Sequence, residues 1–187
     1  MTIFTVGFTE ELPMNHHVTT KEEILEKALD IAMKEGIDKV SMRKLSNACG
    51  IAIGSVYNYY SNKGSLILAV SEHFWTHLLQ DQEKLFQRGI GFTAFLEQYY
   101  IFLYGRLAQY DSSWLGSMDD ITRKKAEALL YQVLSEDPRV DWSIWNMELN
   151  QEAFCEYVLI SILALLQAGE NNCRFLIFLL DHLLYHL

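Results

Sequence analysis

The spacing of apolar positions divides the chain into a succession of helices. Ile24, Leu25, Ala28, Leu29, Ala32 and Met33 recur at the intervals of one helical face, with Lys21, Lys27 and Lys34 placed elsewhere. Thr20 followed three residues later by Glu23 is a capping box and predicts where this helix begins; Gly36 predicts where it ends. Ser41 is the expected N-cap of a second helix, with a narrow apolar face of Leu45, Ala48 and Cys49. Gly50 follows where the chain must turn sharply, because glycine takes a left-handed conformation at little cost, and Ile51 can pack back into the turn. A third short helix over residues 53–60 directs Val56 and Tyr60 inward and leaves Ser55, Tyr57, Asn58 and Tyr59 outward.

Beyond this unit the pattern becomes more apolar. A long helix is expected over 66–88, with Leu66, Ala69, Val70, Phe74, Leu78 and Leu85 on its buried face, interrupted by Gly89-Ile90-Gly91. Residues 92–110 are apolar on nearly every side, which places a helix at the centre of a bundle or along a cavity. Residues 119–135 read as an amphipathic helix whose Arg123, Lys124 and Lys125 form a solvated face. Trp142 and Trp145 lie in a stretch without a clear period. Asn150 caps a helix to about 168, Gly169 ends it, and a last helix runs over 172–187. The reading is all-α: a tail over 1–17, with Met14 an alternative start, a three-helix unit over 18–66, and a larger helical body over 67–187.

Charge sharpens this division. The net charge is −9, yet the segment from Lys39 to Lys63 contains Lys39, Arg43, Lys44 and Lys63 and no acid at all. Residues 1–17 carry −2, residues 18–70 carry +1 and residues 71–187 carry −8. Acid is thus concentrated away from the second and third helices, where it would repel non-specific contact with a polyanion. A polar, aromatic, acid-free face beside several cations suits a phosphate-rich groove. Three widely spaced cysteines, Cys49, Cys155 and Cys173, show no metal-ligand spacing and fit small buried hydrophobes in a reducing cytoplasm. The start of the chain lacks the basic and apolar regions of a signal peptide. The most apolar run, residues 157–166, is far short of the roughly 20 residues needed to cross a bilayer.

From Ile24 to Leu66 the sequence resembles the DNA-binding domain of TetR-family transcriptional regulators. The resemblance rests on Ile24, Ala28, Gly36, Ser41, Leu45, Ala48, Gly50 and Ile51. It continues through the run Gly54-Ser55-Val56-Tyr57-Asn58-Tyr59-Tyr60, with Lys63 and Leu66 beyond. Ser46 departs from the usual alanine, and Gly64-Ser65 replaces an acidic pair, which is expected to loosen the start of the next helix. The resemblance implies a double-stranded, palindromic operator contacted by Ser41, Arg43, Lys44, Gly54, Ser55, Tyr57, Asn58, Tyr59 and Lys63. It also implies a repressor released by a small lipophilic effector, without a cofactor. Acid and aromatic rings in the body favour an effector that is neutral or cationic. The expected pocket residues are His73, Trp75, His77, Tyr99, Tyr100, Phe102, Leu103 and Trp114, although aromatics at this spacing also serve as plain core.

The last two helices are richer in apolar residues than a single face requires. A homodimer through Leu159, Ile162, Leu163, Leu166, Leu176, Leu179, Leu180 and Leu183 is expected, since a palindrome calls for a twofold assembly; an intrachain core is the alternative. His73 with His77, and His182 with His186, stand at a spacing that can bind metal, but no further ligand stands at a fixed spacing, so core or pocket-lining histidines are expected. No fingerprint of a hydrolase, nucleotide-binding loop or metalloprotease occurs, and the chain is read as a non-enzyme. Two other readings remain: a helical ligand carrier or scaffold whose basic helix pair is structural, and a metal-dependent enzyme using His73 and His77.

Overall fold

The computed structural model describes residues 20–85 and 89–185. Every regular element among them is helical: α1 (Lys21–Glu35), α2 (Met42–Cys49), α3 (Ile53–Tyr59), α4 (Lys63–Leu78), α5 (Phe92–Leu107), α6 (Asp120–Glu136), α7 (Gln151–Gln167) and α8 (Arg174–Tyr185). Short 3-10 turns lie at Ile37–Lys39, Gln82–Leu85, Ser112–Ser117 and Trp142–Ile144. The tail expected over 1–17, the far end of the helix expected to reach residue 88, and His186 with the end of the last helix lie outside the described residues.

The capping box at the start of α1 forms as read. The Glu23 N–H donates to Thr20 Oγ1 at 3.2 Å, and the Thr20 N–H donates to Glu23 Oε2 at 3.0 Å. Gly36 stops the helix at φ 101°. The buried stripe is Ile24, Ala28, Ile31 and Ala32, and Met33 is exposed, so the face lies slightly around the helix from the expected one. In α2 the correction is similar. Met42, Leu45 and Ser46 are buried and Cys49 half-buried, whereas Ala48 is exposed. Ser46 can occupy the interior because its hydroxyl donates to the Arg43 carbonyl at 2.9 Å.

The helix expected over 66–88 is shorter at its far end. It begins at Lys63 and ends at Leu78, and Asp81 then takes φ 73° before the 3-10 turn. Beyond Leu79 the sequence Gln-Asp-Gln-Glu-Lys offers no apolar face to bury, which removes the reason to continue. The start of α4 is not loosened by Gly64. Asn62 Oδ1 accepts from the Ser65 N–H at 2.9 Å and Ser65 Oγ accepts from the Asn62 N–H at 3.3 Å, a second capping box. Leu66 is fully buried, and α4 packs on α1, on α6 and on the Ser112–Ser117 turn. Ser71 Oγ donates to the Ser117 carbonyl, which joins α4 to that turn.

In the body, α5 packs on α6 and α8, and α6 on α7. Phe92, Phe95, Leu96, Tyr99, Tyr100, Leu103 and Leu107 of α5 are buried, but Ile101 and Tyr104 are exposed, so α5 keeps one open side rather than being enclosed all round. Around α4, Phe74 stacks on Trp114 with ring centroids 3.8 Å apart and meets Trp75 edge-on at 5.5 Å. Trp145 meets Phe154 of α7 edge-on at 5.3 Å, which fixes the stretch that the sequence left without a period.

Asp137, almost fully buried after α6, ties three helices together. Its Oδ2 accepts from the Phe92 N–H at 2.8 Å and from the Tyr185 hydroxyl at 2.6 Å, while its Oδ1 accepts from the Arg139 Nε at 3.0 Å. Burial alone would raise its pKa, but these donors prevail and hold the carboxyl down at about 2. The Asp141 N–H donates to the Leu184 carbonyl at 2.8 Å, so the same loop also fastens the end of α8. Gly91, just before α5, leaves room for Arg139: a Cβ there would lie 1.4 Å from Arg139 Nη2.

Candidate nucleic-acid interface

The interface is built on α2 and α3, joined by one tight turn. Ser41 Oγ accepts the Lys44 N–H at 3.2 Å and starts α2. Gly50 ends it in the left-handed region at φ 65°, where the Gly50 N–H reaches the Asn47 carbonyl and the Ile51 N–H the Ser46 carbonyl. Helix α3 then holds one inward row. Val56 is fully buried and Tyr60, just past its end, nearly so, while Lys21 Nζ lies 5.6 Å from the centroid of the Tyr60 ring. Burial raises the Tyr60 phenol above its ordinary pKa, with Glu22 adding to the effect, so it stays protonated.

The outward row of α3 contains Gly54, Tyr57, Asn58 and Tyr59, all exposed, with Ser55 half-buried beside Val56. Tyr57 leaves 49 % of its surface open. Ile53 is also exposed, a member of this face that the sequence reading passed over because an isoleucine at a helix start normally signals core.

The cations divide into two kinds. Arg43 is exposed, and among the described residues no carboxylate lies within ion-pair distance of its guanidinium. Lys44 is half-buried and paired with Glu35, and Lys39 is paired with Asp38 at 3.3 Å. Lys63 donates to the Asp38 carbonyl at 3.2 Å across the gap between α4 and the Ile37–Lys39 turn. Arg43, Tyr57 and Asn58 are exposed on this face, while Lys44 and Lys63 must exchange an existing partner.

The other expected sites fare differently. His73 and His77 are exposed on α4 while Phe74 and Leu78 beside them are buried, which corrects their placing as core or pocket-lining groups. Trp75, Tyr99, Tyr100, Leu103 and Trp114 pack into the core, with Phe102 half-buried. These rings fill the space they were expected to line. Of the residues expected at a dimer interface, Leu159, Ile162, Leu166 and Leu180 are buried within this one chain, Leu163 and Leu176 are half-buried, and only Leu179 and Leu183 are exposed. The open apolar face of α7 and α8 is instead Tyr157, Ile160, Phe175, Phe178, Leu179 and Leu183, with Phe175 74 % exposed.

Burial pushes the Cys155 thiol up to about 12 and the Cys173 thiol up to about 11, and both pack as hydrophobes. Among the described residues no three His, Cys, Asp or Glu side chains converge as a metal ion would require, and no helix is long and apolar enough to cross a membrane.

Comparison with known proteins bears on this geometry. Residues 24–70 match the model for bacterial regulatory proteins of the tetR family. An HTH-type transcriptional regulator of Bacillus subtilis (strain 168), YvdT, is 40 % identical over 63 residues, covering 34 % of this chain and 32 % of its own. The HTH-type transcriptional regulator UidR of Escherichia coli (strain K12) is 32 % identical over 69 residues, covering 37 % of this chain and 32 % of its own. The match thus spans about a third of the length of these curated relatives. Among solved structures, TetR from Acinetobacter baumannii AYE superposes with a TM-score of 0.47 at 18 % identity, over 81 % of this chain and 77 % of that one. The family model is seated on α1 to α4, so the part of the chain that forms the helix-turn-helix face is similar to the DNA-binding region of bacterial regulatory proteins of the tetR family.

Proposed function

We propose that this chain is a DNA-binding transcriptional regulator, working as a homodimeric repressor that a small lipophilic effector releases from a palindromic operator. The observation that carries the reading is the exposed, acid-free face of α3 beside Arg43, on the part of the chain that matches the family. In this reading α3 enters the major groove. Ser55, Tyr57 and Asn58 meet base edges, Gly54 lets the backbone approach closely, and Arg43 reaches a guanine edge or a phosphate. Tyr59, Lys44 and Lys63 hold phosphates, Lys63 by leaving the Asp38 carbonyl, and Ser41 orders the start of α2 beneath them.

The dimer in this reading forms through the exposed row of α7 and α8, where Phe175, Phe178 and Leu179 of one protomer meet the same row of a second copy. An apolar surface of this kind is stable in water only when covered.

The test is a mobility shift of the full chain on DNA flanking its own gene and on a random duplex, titrated with salt. Specific retardation with a steep loss of affinity on raising salt supports the reading. Equal, weak retardation of both duplexes would leave the helix pair a structural element and favour the carrier reading.

A further inference from the structure

The cleft between α6 and α7 is lined by a buried carboxylate with one oxygen that has no hydrogen-bond partner among the described residues. Its volume is about 560 Å³, within the range of small-molecule sites. Glu127 of α6 is 9 % exposed and lines the cleft. One of its oxygens, Oε2, is met by Lys124 Nζ at 2.7 Å, with the lysine lying out at the solvent edge. The other, Oε1, is buried and has no hydrogen-bond partner among the described residues. Burying a carboxylate oxygen without a donor is costly, so its retention in a cleft needs a reason.

The remaining walls point the same way. Glu152 and Glu156, one helical turn apart on α7, line the opposite side, so the cleft carries three acids against one lysine. Tyr131, one turn beyond Glu127, offers a ring that is 42 % exposed. Ala128 and Ala153 are small and keep the space open. The nearby Cys155 thiol is pushed up by burial and by the Glu127 charge, so it stays protonated and adds no charge to the cleft.

We propose that this cleft binds a small organic cation, a protonated amine whose N–H groups can donate, with a compact apolar body. Glu127 Oε1 meets the cationic head, Tyr131 stacks on it, and Glu152 and Glu156 attract it electrostatically. An anion is disfavoured by the acids, and a neutral donor can reach Oε1 but brings no charge to offset the three carboxylates. The proposal rests on the regulator reading for its consequence, since such a cation is then the effector; its chemistry stands on the cleft alone.

The experiment uses the cation benzylammonium, neutral benzyl alcohol and anionic benzoate, titrated calorimetrically into the full-length chain. The cation binds, and Glu127→Gln weakens it by about tenfold or more, the loss expected when a charged partner becomes neutral at similar shape. Benzyl alcohol binds about tenfold more weakly and ignores that substitution. Ala128→Trp, which fills the cleft without touching its charges, abolishes binding of the cation. Thermal melts check that the variants fold; should Glu127→Gln not fold, the double variant Glu152→Gln, Glu156→Gln is read in its place. Equal binding of cation and alcohol, an unchanged affinity in the charge variant, stronger binding of benzoate, or no cation binding up to about 10 mM would each overturn the site. A parallel mobility shift separates the two claims. A chain that binds the cation but no duplex keeps the site and loses the regulator reading, and one that binds duplex but no cation loses the site alone.

Discussion

Two helix pairs of this molecule, α2–α3 and α7–α8, each bury one face and leave another open. The open face of α3 presents Ser55, Tyr57, Asn58 and Tyr59, with Arg43 beside it; that of α7–α8 presents Tyr157, Ile160, Phe175 and Phe178. The first is polar and carries flat rings with hydrogen-bonding tips, suited to a wet, charged groove. The second is dominated by apolar side chains, with the Tyr157 hydroxyl and the His182 ring on Phe178 as its polar groups. The same local plan, a pair of helices with an outward row, thus serves opposite chemistries according to what the row carries.

The largest test of this contrast concerns α7–α8. Phe175→Glu with Phe178→Glu should give a soluble, helical monomer by sizing with light scattering, because both side chains are exposed in the single chain. Ile162→Asp, on the opposite and fully buried side of α7, should instead abolish the folded protein, since an unpaired charge would enter the core. An unchanged dimer from the double glutamate variant would move the interface elsewhere.

Asp137 ties α8 to α5 through the Tyr185 hydroxyl and the Phe92 N–H, and hence holds the helix that presents that open row. Its pKa is depressed from 3.8 to about 2, worth about 2 kcal/mol of stability. A depressed carboxyl pKa stabilises the fold above the unfolded value near 3.8, and the contribution is lost as pH falls through about 2. Asp137→Asn should therefore lower urea stability at pH 7 by about 2 kcal/mol, with the gap to wild type narrowing below about pH 4. A gap that stayed constant down to acid pH would mean that charge is not what the donors recognise.

On the α3 face, Tyr57→Ala should cost about 1–3 kcal/mol on the operator and little on random DNA. Lys63→Ala should weaken both duplexes alike and reduce the salt slope by about one per monomer. If Tyr57→Ala left specificity intact, a different side of α3 would have to face the bases. The smallest effect is expected at the turn joining α2 and α3. Gly50→Ala meets no neighbouring atom, so only its left-handed backbone is penalised, at about 1 kcal/mol in a thermal melt.

The contrast also explains what could be read from the sequence. The start of α1, the turn at Gly50 and the outward row of α3 were legible because caps, a glycine and polar residues each have one favoured position. The fold class was legible for the same reason. In α7 and α8 both faces are apolar, and a hydrophobic pattern does not say which one meets the rest of the chain. Leu159 and Leu180 were therefore placed outside, although they are core. The aromatic residues of the body misled in a related way. Trp75 and Trp114 announce a large apolar volume, but only packing decides whether that volume is filled by their own rings, as Phe74 and Trp114 do, or left for a guest. Glu127 gave no signal as one acid on an amphipathic helix; its significance comes from a cleft made by a distant helix.

The space above Gly91 has a consequence for how this sequence can drift. A single β-carbon there would occupy the place of the Arg139 guanidinium, which is the group that embraces Asp137. A side chain at 91 therefore requires the Arg139 guanidinium to swing aside. In natural variants of this chain a side chain at 91 should appear together with a shorter residue at 139, whereas an arginine at 139 should travel with glycine. A side chain at 91 that pushed the guanidinium aside would leave the buried acid with the backbone N–H groups of Phe92 and Arg139 and the Tyr185 hydroxyl.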